Sequence, residues 1–324
     1  MSLAYTSFAV RMLQGRDILK STAAALPAEG LIDLTERFWA GGAQIDLSQL
    51  ESHEPAYLAR VRARAEKAGL WIELSVPSKY LENADTYAEM AGVAHALGVD
   101  RIRVALLYGR RYESFATRDA WIAHESKWRN QLAAIKPVIE RFPIRVGIEN
   151  HKDYTASELA ALLTSLDSGK IGACVDFGNN ISLLEDPLDT IRTLAPFAVT
   201  THLKDMAVRP SPDGFELSEV PLGEGIVPLA EAIAVVRRAR PDARLVLEMI
   251  TRDPLSVPYR TDKYWIAVSR PPAETLARFE RDVLGKAWKD PLPHISQLTK
   301  PQQVEAEDEN VRRSVAYARS VLKL

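Results

Sequence analysis

The chain holds one cysteine, Cys174, in 324 residues. A lone thiol makes no internal disulfide, which favours a reducing compartment. Long apolar runs are missing as well. None approaches the ~18 residues that a membrane-spanning helix needs. The opening residues, Met1 to Arg11, place no basic stretch ahead of an apolar one. No secretory leader is expected, and the cytoplasm is the expected location. Charge of one sign is not in excess either, since 41 Lys and Arg face 43 Asp and Glu, a net −2. That balance offers the phosphate backbone no general attraction, so neither nucleic acid nor a membrane is an expected partner. Hydrophobic residues at 47% and charged residues at 26% exclude a disordered chain. No Gly-x-Gly-x-x-Gly follows the first strand, which removes the main support for a dinucleotide-binding sheet.

What is present is alternation. Eight β-type runs are legible: Ala4–Val10, Ala43–Leu47, Trp71–Val76, Arg101–Leu107, Ile144–Glu149, Ile171–Asp176, Val199–Leu203 and Arg244–Met249. Helical stretches such as Pro55–Lys67, Ala84–Leu97, Asp119–Arg141, Ser157–Leu166 and Pro228–Ala239 separate them. Gly69 and Gly98 stop two of the helices just before a strand. Strict alternation means parallel strands with helical crossovers. Length alone suggests two domains, but eight such units form one α/β fold, a (β/α)8 TIM barrel. The barrel is expected over residues 1–285. Residues 286–324 open with Pro291, Pro293 and Pro301 and close with a helix expected over Val304–Leu322. They read as a C-terminal helical extension that packs on the barrel or on a neighbouring subunit. The acidic run Glu305–Glu309 reads as a solvated first turn, favoured by the helix dipole.

The informative stretch lies between residues 144 and 253. Strands five to eight each finish on a side chain of metal-ligand type: Glu149, Asp176, His202 and Glu248. The four recur once per βα unit, except that Met206–Leu222, with turn signals at Pro210 to Gly214, lengthens the last interval by about one loop. Strand side chains alternate between two faces. Ile144, Val146 and Ile148 share a face opposite Gly147 and Glu149, and strands six and eight repeat the pattern. The bulkier aliphatics then face the helices, and the four polar residues converge at the C-terminal mouth, where barrels of this kind keep their active sites. Three carboxylates gathered there repel one another unless a cation sits between them. The mixed oxygen and nitrogen set suits one divalent metal, Mn²⁺ first, with Mg²⁺, Co²⁺ or Zn²⁺ also fitting.

These residues resemble the xylose-isomerase-like (β/α)8 superfamily of sugar isomerases and epimerases, which includes the ketose 3-epimerases. The resemblance covers roughly residues 1–285 in element order. It is specific at Ile-Glu149-Asn, Val-Asp176-Phe-Gly-Asn, His202-Leu-Lys-Asp205, Leu-Gly223-Glu-Gly225 and Leu-Glu248-Met. It implies that Glu149, Asp176, His202 and Glu248 bind one metal, and that the two Glu also exchange the substrate's proton. The implied activity is isomerisation or epimerisation of a keto sugar through a metal-stabilised enediolate. One departure stands out. Ketose epimerases often carry His three residues after the strand-six Asp, and here that place is Asn179, which binds oxygen but moves no proton. His151, of inward parity just past Glu149, is the candidate substitute. Lys204 either binds a substrate oxygen or pairs with Asp205.

A second outcome follows from the same enolate. A carbonyl at C3 of a glycoside permits β-elimination of the C1 substituent, and some superfamily members resemble such lyases, including C-glycoside deglycosidase large subunits. Asn179 favours this reading, as does the long segment Thr251 to Trp265 with Arg252, Tyr259, Arg260, Tyr264 and Trp265. Arg252 and Trp265 are candidate substrate contacts, the aromatic stacking on a sugar or flat aglycone. The adjacent Arg110 and Arg111 read as a solvated pair or as anion-binding. A small-molecule sugar or glycoside is the expected ligand. The assembly is expected to be a homo-oligomer, or a hetero-oligomer on the deglycosidase reading. Two rivals rank lower: a zinc-dependent apurinic endonuclease, for which six His are too few, and a non-catalytic metal-binding structural subunit.

Overall fold

A computed structural model describes residues 4–7, 26–38 and 41–324. Among them the strands are β1 (Ala4–Ser7), β2 (Gly42–Asp46), β3 (Trp71–Ser75), β4 (Arg101–Val104), β5 (Arg145–Glu149), β6 (Ile171–Asp176) and β7 (Ala198–Leu203), then β8 (Asp205–Ser211), β9 (Gly214–Val220), β10 (Arg244–Glu248) and β11 (Leu255–Val257). Strands β2 to β7 and β10 stand side by side in parallel, and β1 closes the ring between β10 and β2. The fold is the (β/α)8 barrel expected from the alternation. The last residues expected for the first strand, 8–10, lie outside the described residues.

The helices are α1 (Ala28–Phe38), α2 (Pro55–Lys67), α3 (Ala84–Ala96), α4 (Arg118–Ile139), α5 (Ala156–Leu166), α6 (Pro187–Leu194), α7 (Leu229–Ala239), α8 (Ala273–Asp282) and α9 (Lys300–Ser320). Local chemistry sets their ends. Thr155 and Glu158 form a reciprocal capping box at the start of α5, and Pro55 occupies the first turn of α2. Gly69 and Gly98, at φ of 70° and 72°, take the left-handed conformation that ends α2 and α3. No helix of the described residues is long and apolar enough to cross a membrane.

The barrel interior follows the parity of the strands. Val146, Ile148, Val175, Leu245 and Leu247 are buried opposite the inward positions. A Cβ on Gly147 would come within 3.3 Å of the Thr200 methyl, which places this glycine inside the ring. At the floor, Trp71 fills the space that Gly42 leaves, and Arg244 stacks 4.0 Å from the Trp71 ring. Above it most inward positions are polar: Gln44, Glu73, Arg103 and Thr200 are all buried, with Cys174 and Val246 among them. Barrels are more often filled by layers of branched aliphatics. This one reserves its interior for supporting hydrogen bonds.

Two expectations need correction. Met206–Leu222 is not a plain loop. Most of it forms the hairpin β8–β9, with Pro212 and Asp213 in the turn, and β11 adds a third antiparallel strand from the segment after β10. The alternation Phe215, Leu217 against Glu216, Ser218 supports a strand, and Pro210 and Pro212, which signal a turn, lie at the hairpin's tip. The C-terminal helix begins at Lys300, four residues early, because Thr299 and Gln302 cap it and Pro301 lies in its first turn. The acidic run therefore falls past that turn, and Glu307 is fully buried instead of solvated. Helix α9 packs against the loops at the barrel mouth. Leu222 N–H donates to Ser314 Oγ at 3.2 Å, and Asn310 Nδ2 donates to Thr251 Oγ1 at 3.0 Å. The Tyr317 ring covers Gly223, whose φ of 89° and crowded Cβ position leave room for glycine alone.

Candidate metal centre at the barrel mouth

Glu149, Asp176, His202 and Glu248 close β5, β6, β7 and β10, and one ligand atom from each lies within 4.8 Å of all the others. All four are buried. His202 Nδ1 stands 3.3 Å from Glu149 Oε1, 3.3 Å from Glu248 Oε1 and 3.8 Å from Asp176 Oδ2. The opposite ring nitrogen is held from behind. Gln44 Nε2 donates to Glu73 Oε1 at 2.8 Å, so Gln44 Oε1 is left to accept from His202 Nε2 at 2.9 Å. Thr200 Oγ1 donates to the other Glu73 oxygen at 3.0 Å. Burial opposes the charge of His202, but Cys174, Glu248 and Glu149 raise the ring well above its ordinary value. Without a cation both ring nitrogens therefore carry protons; a bound metal would take the place of the Nδ1 proton and leave Nε2–H on Gln44 Oε1. His202 Nδ1 and Asp176 Oδ2 are buried without a well-formed hydrogen bond. Four buried ligand atoms facing one another in an O/N donor set, with His202 Nδ1 making no well-formed hydrogen bond, fit a divalent cation. The four-residue site is able to hold a metal.

The carboxylates are not alone, which corrects the expected local excess of negative charge. Arg103, inward on β4, forms an ion pair with Glu149 Oε2. Lys204 Nζ lies 2.8 Å from Asp176 Oδ2 and 3.5 Å from Glu219 Oε1, and it donates to Glu248 Oε2. Arg252 Nη2 reaches the same Glu219 oxygen at 3.5 Å. Lys152 Nζ donates to Asn179 Oδ1 at 2.5 Å, and Asn179 Nδ2 donates to Glu149 Oε1 at 3.0 Å. Asp176 also caps the turn that follows it, accepting from Gly178 N and Asn179 N.

Burial and charge compete at each group. Burial opposes the charge of Glu149, but Arg103 and His202 hold its carboxyl well below the usual range. Glu248 is likewise desolvated, and His202 and Lys204 draw it down to about 2. Asp176 goes the other way. Burial, with Glu149 and Glu248 nearby, outweighs Lys204 and pushes it up to about 6. Burial lowers Lys152 to about 8, helped by Lys204 and Arg252.

The other expected site residues divide. Asn179 is buried within the cluster. His151 is half-buried against Tyr108, with ring centroids 5.8 Å apart. Its Nδ1–H donates to Leu107 O at 2.9 Å, and burial depresses the ring to about 3. Lys204 does not pair with Asp205. Asp205 instead accepts from the backbone N–H groups of Met206, Gly223, Gly225 and Val227, a nest that explains the Gly223-Glu-Gly225 motif. Trp265 packs edge-on to Tyr264 at 4.9 Å, with Arg270 4.3 Å from its ring. Arg111 is neither solvated nor free to bind an anion. It is buried, bidentate to Glu158, and stacked 3.8 Å from Trp121. Arg110 pairs with Glu113.

Residues 33–283 match the family described as xylose isomerase-like TIM barrel. The chain belongs to this family. A relative within known sequences is 3-oxo-isoapionate decarboxylase of Pectobacterium atrosepticum, 27% identical over 223 residues, which span 68% of this chain and 75% of that protein. Among solved structures, D-psicose 3-epimerase of Clostridium cellulolyticum H10, crystallised with D-tagatose, superposes with a TM-score of 0.62. It is 15% identical and the match covers 99% of both chains. A xylose isomerase-like TIM barrel protein of Mycobacterium smegmatis, in complex with magnesium, gives a TM-score of 0.57 at 14% identity, over 85% of this chain and 97% of that one. At these identities the two structures speak for the fold.

Arg103, Lys152, Gln44, Glu73 and Glu219 were not expected at the site. The parity that located Glu149 was enough to find Arg103, Gln44 and Glu73, which share the inward face of their strands.

Proposed function

We propose that this protein is a divalent-metal-dependent enzyme that isomerises or epimerises a keto sugar by moving a proton next to the carbonyl. The four-residue cluster carries this reading, above all the convergence of its four ligand atoms and the His202 Nδ1 that makes no well-formed hydrogen bond. Glu149, Asp176, His202 and Glu248 would hold the ion, with Mn²⁺ first and Mg²⁺, Co²⁺ or Zn²⁺ as alternatives. When bound, a divalent cation polarises a carbonyl and lowers the cost of the neighbouring enediolate. Glu149 and Glu248, each 3.3 Å from His202 Nδ1, would remove and return the proton. Return from the opposite side gives an epimer, and return to the adjacent carbon gives an isomer. His151 is a second proton acceptor. With Nδ1–H committed to Leu107 O, its Nε2 carries the lone pair. Asn179, Lys204, Arg252 and Trp265 are the proposed substrate contacts. Asn179 and Lys204 also orient Glu149 and Glu248 through their hydrogen bonds.

The test is deuterium uptake from D₂O into a panel of keto sugars. Uptake should require metal and vanish on chelation. It should fall at least about 100-fold in Glu248→Gln and Glu149→Gln, the lower end of what general acid–base groups contribute. Full exchange in either variant would exclude the assignment.

A second reading has its own support. Arg103 and Lys204 tie the outer oxygens of Glu149 and Glu248, and the Asn179 amide transfers no proton, so a two-base relay is restrained. A decarboxylase needs only one proton donor, because the breaking C–C bond supplies the enolate's electron pair, and it would lose CO₂ from a 3-oxo acid, the type of reaction named for the Pectobacterium relative. A lyase acting on a 3-oxo-glycoside, as C-glycoside deglycosidases do, would use one Glu to take the C2 proton and an acid to protonate the departing aglycone. Release of CO₂ or of an aglycone, without sugar epimers, would establish the lyase and exclude the isomerase.

A further inference from the structure

We propose that the mouth recognises an anionic ligand, a keto sugar acid, and that the Lys152 ammonium binds its carboxylate. The inference rests on the reading above only for the place of binding. Lys152 is 4% exposed, yet its ammonium makes one hydrogen bond among the described residues, to the neutral Asn179 Oδ1. An ammonium has three donors, and burying it against a single neutral acceptor is costly. The backbone holds it there under strain. Lys152 is not glycine, but its φ is 68°, in the left-handed region. The surrounding loop enforces this. Arg111 N–H donates to Lys152 O at 3.0 Å, and Asp153 Oδ1 accepts from His151 N at 3.0 Å and Tyr154 N at 2.8 Å. The fold therefore accepts strain and desolvation to keep an under-partnered cation beside Asn179, whose amide in turn donates to Glu149.

The charge balance points the same way. Glu149, Asp176, Glu219 and Glu248 supply four negative charges at the mouth, and Arg103, Lys152, Lys204 and Arg252 supply four positive ones. Within this set of eight groups, a divalent cation in the cluster leaves two positive charges in excess. A neutral ketose cannot match them, whereas a sugar acid can. Among the described residues Lys152 is the cation of the set that forms no ion pair with a carboxylate, so it is the one left to meet a carboxylate of the ligand.

The test is a thermal-shift titration of metal-loaded protein with D-fructose and with two acids of the same carbon length, 2-keto-D-gluconate and D-fructuronate. A hydrogen-bonded charge adds roughly 10- to 100-fold in affinity. At least one acid should therefore bind about tenfold tighter than fructose. Lys152→Gly removes the ammonium and relieves the left-handed strain, so it should fold with an unchanged or raised Tm and lose most of that preference. Lys152→Asn, which also tolerates this φ, repeats the test should the glycine variant fold poorly. Lys152→Arg should retain the preference. Metal-stripped wild-type protein should keep part of it, because the metal's own attraction for anions is then gone. Stabilisation by neither acid, equal stabilisation by fructose, or a preference undiminished in Lys152→Gly and Lys152→Asn would overturn the proposal. Failure of the catalytic reading looks different. Anion preference with no solvent exchange or bond cleavage on any substrate would remove the enzyme assignment and leave the Lys152 site standing.

Discussion

At the scale of single residues, each Glu at the mouth divides its two oxygens. Glu149 turns Oε1 to His202 and Oε2 to Arg103, while Glu248 turns Oε1 to His202 and Oε2 to Lys204. The buried cations orient the carboxylates and keep them ionised. Removing one strands a buried charge, which costs about 3–5 kcal/mol. Arg103→Leu should therefore unfold at markedly lower urea, and Arg103→Leu/Glu149→Leu should recover part of the loss. Equal stability of Arg103→Leu and wild type would show that the pair contributes nothing. The four ligand-type residues were legible because strand parity and βα spacing are visible in one dimension. Lys152 was not, since its burial depends on a left-handed turn and on Asn179, 27 positions away. The expected Lys204–Asp205 pair failed for a reason present in the same alternation. Lys204 shares the parity of His202, so Asp205 points to the other side, into its nest of N–H groups.

At the scale of elements, the loops after the strands are braced against one another. Gly223 is the contact between the loop after β9 and helix α9, where a methyl would lie 2.2 Å from the Tyr317 ring at a φ of 89°. Gly223→Ala should cost more than about 1 kcal/mol in denaturant unfolding, from strain and lost docking together. An unchanged midpoint would mean that α9 is not seated there. Glu185 joins the turn after β6 to the first turn of α5, accepting from Ala156 N at 2.9 Å and from Asn180 Nδ2. Burial raises its carboxyl to about 7. The native state thus holds that proton more tightly than the unfolded chain. Its contribution is full below about pH 4.5 and is lost as pH rises through 7. Glu185→Gln should flatten the fall in stability between those values, as read from Tm against pH. An identical pH profile in the variant would contradict the sign. The barrel strands and most helices were legible from alternation and glycine stops. The hairpin β8–β9 was not, because antiparallel strands beginning one residue after a barrel strand break the βα rhythm on which the reading relied.

At the scale of the whole molecule, the near-zero net charge is reproduced in miniature at the mouth, where four carboxylates meet three buried cations and the partly exposed Arg252. The barrel brings these charges together from residues scattered between positions 103 and 252. A ligand that binds only the folded state stabilises it, by about 2.7 kcal/mol at 100 times its dissociation constant. Chelation should lower Tm, and Mn²⁺ should restore it more than an equal ionic strength of a monovalent salt. Equal restoration by the two salts would count against a specific site. The most direct measurement is calorimetric titration of metal-stripped protein with Mn²⁺. The predicted result is uptake of one equivalent by the wild type, abolished or weakened at least tenfold in Asp176→Asn and in His202→Ala. No uptake by the wild type, or unchanged uptake by both variants, would contradict the metal centre on which the proposed chemistry rests.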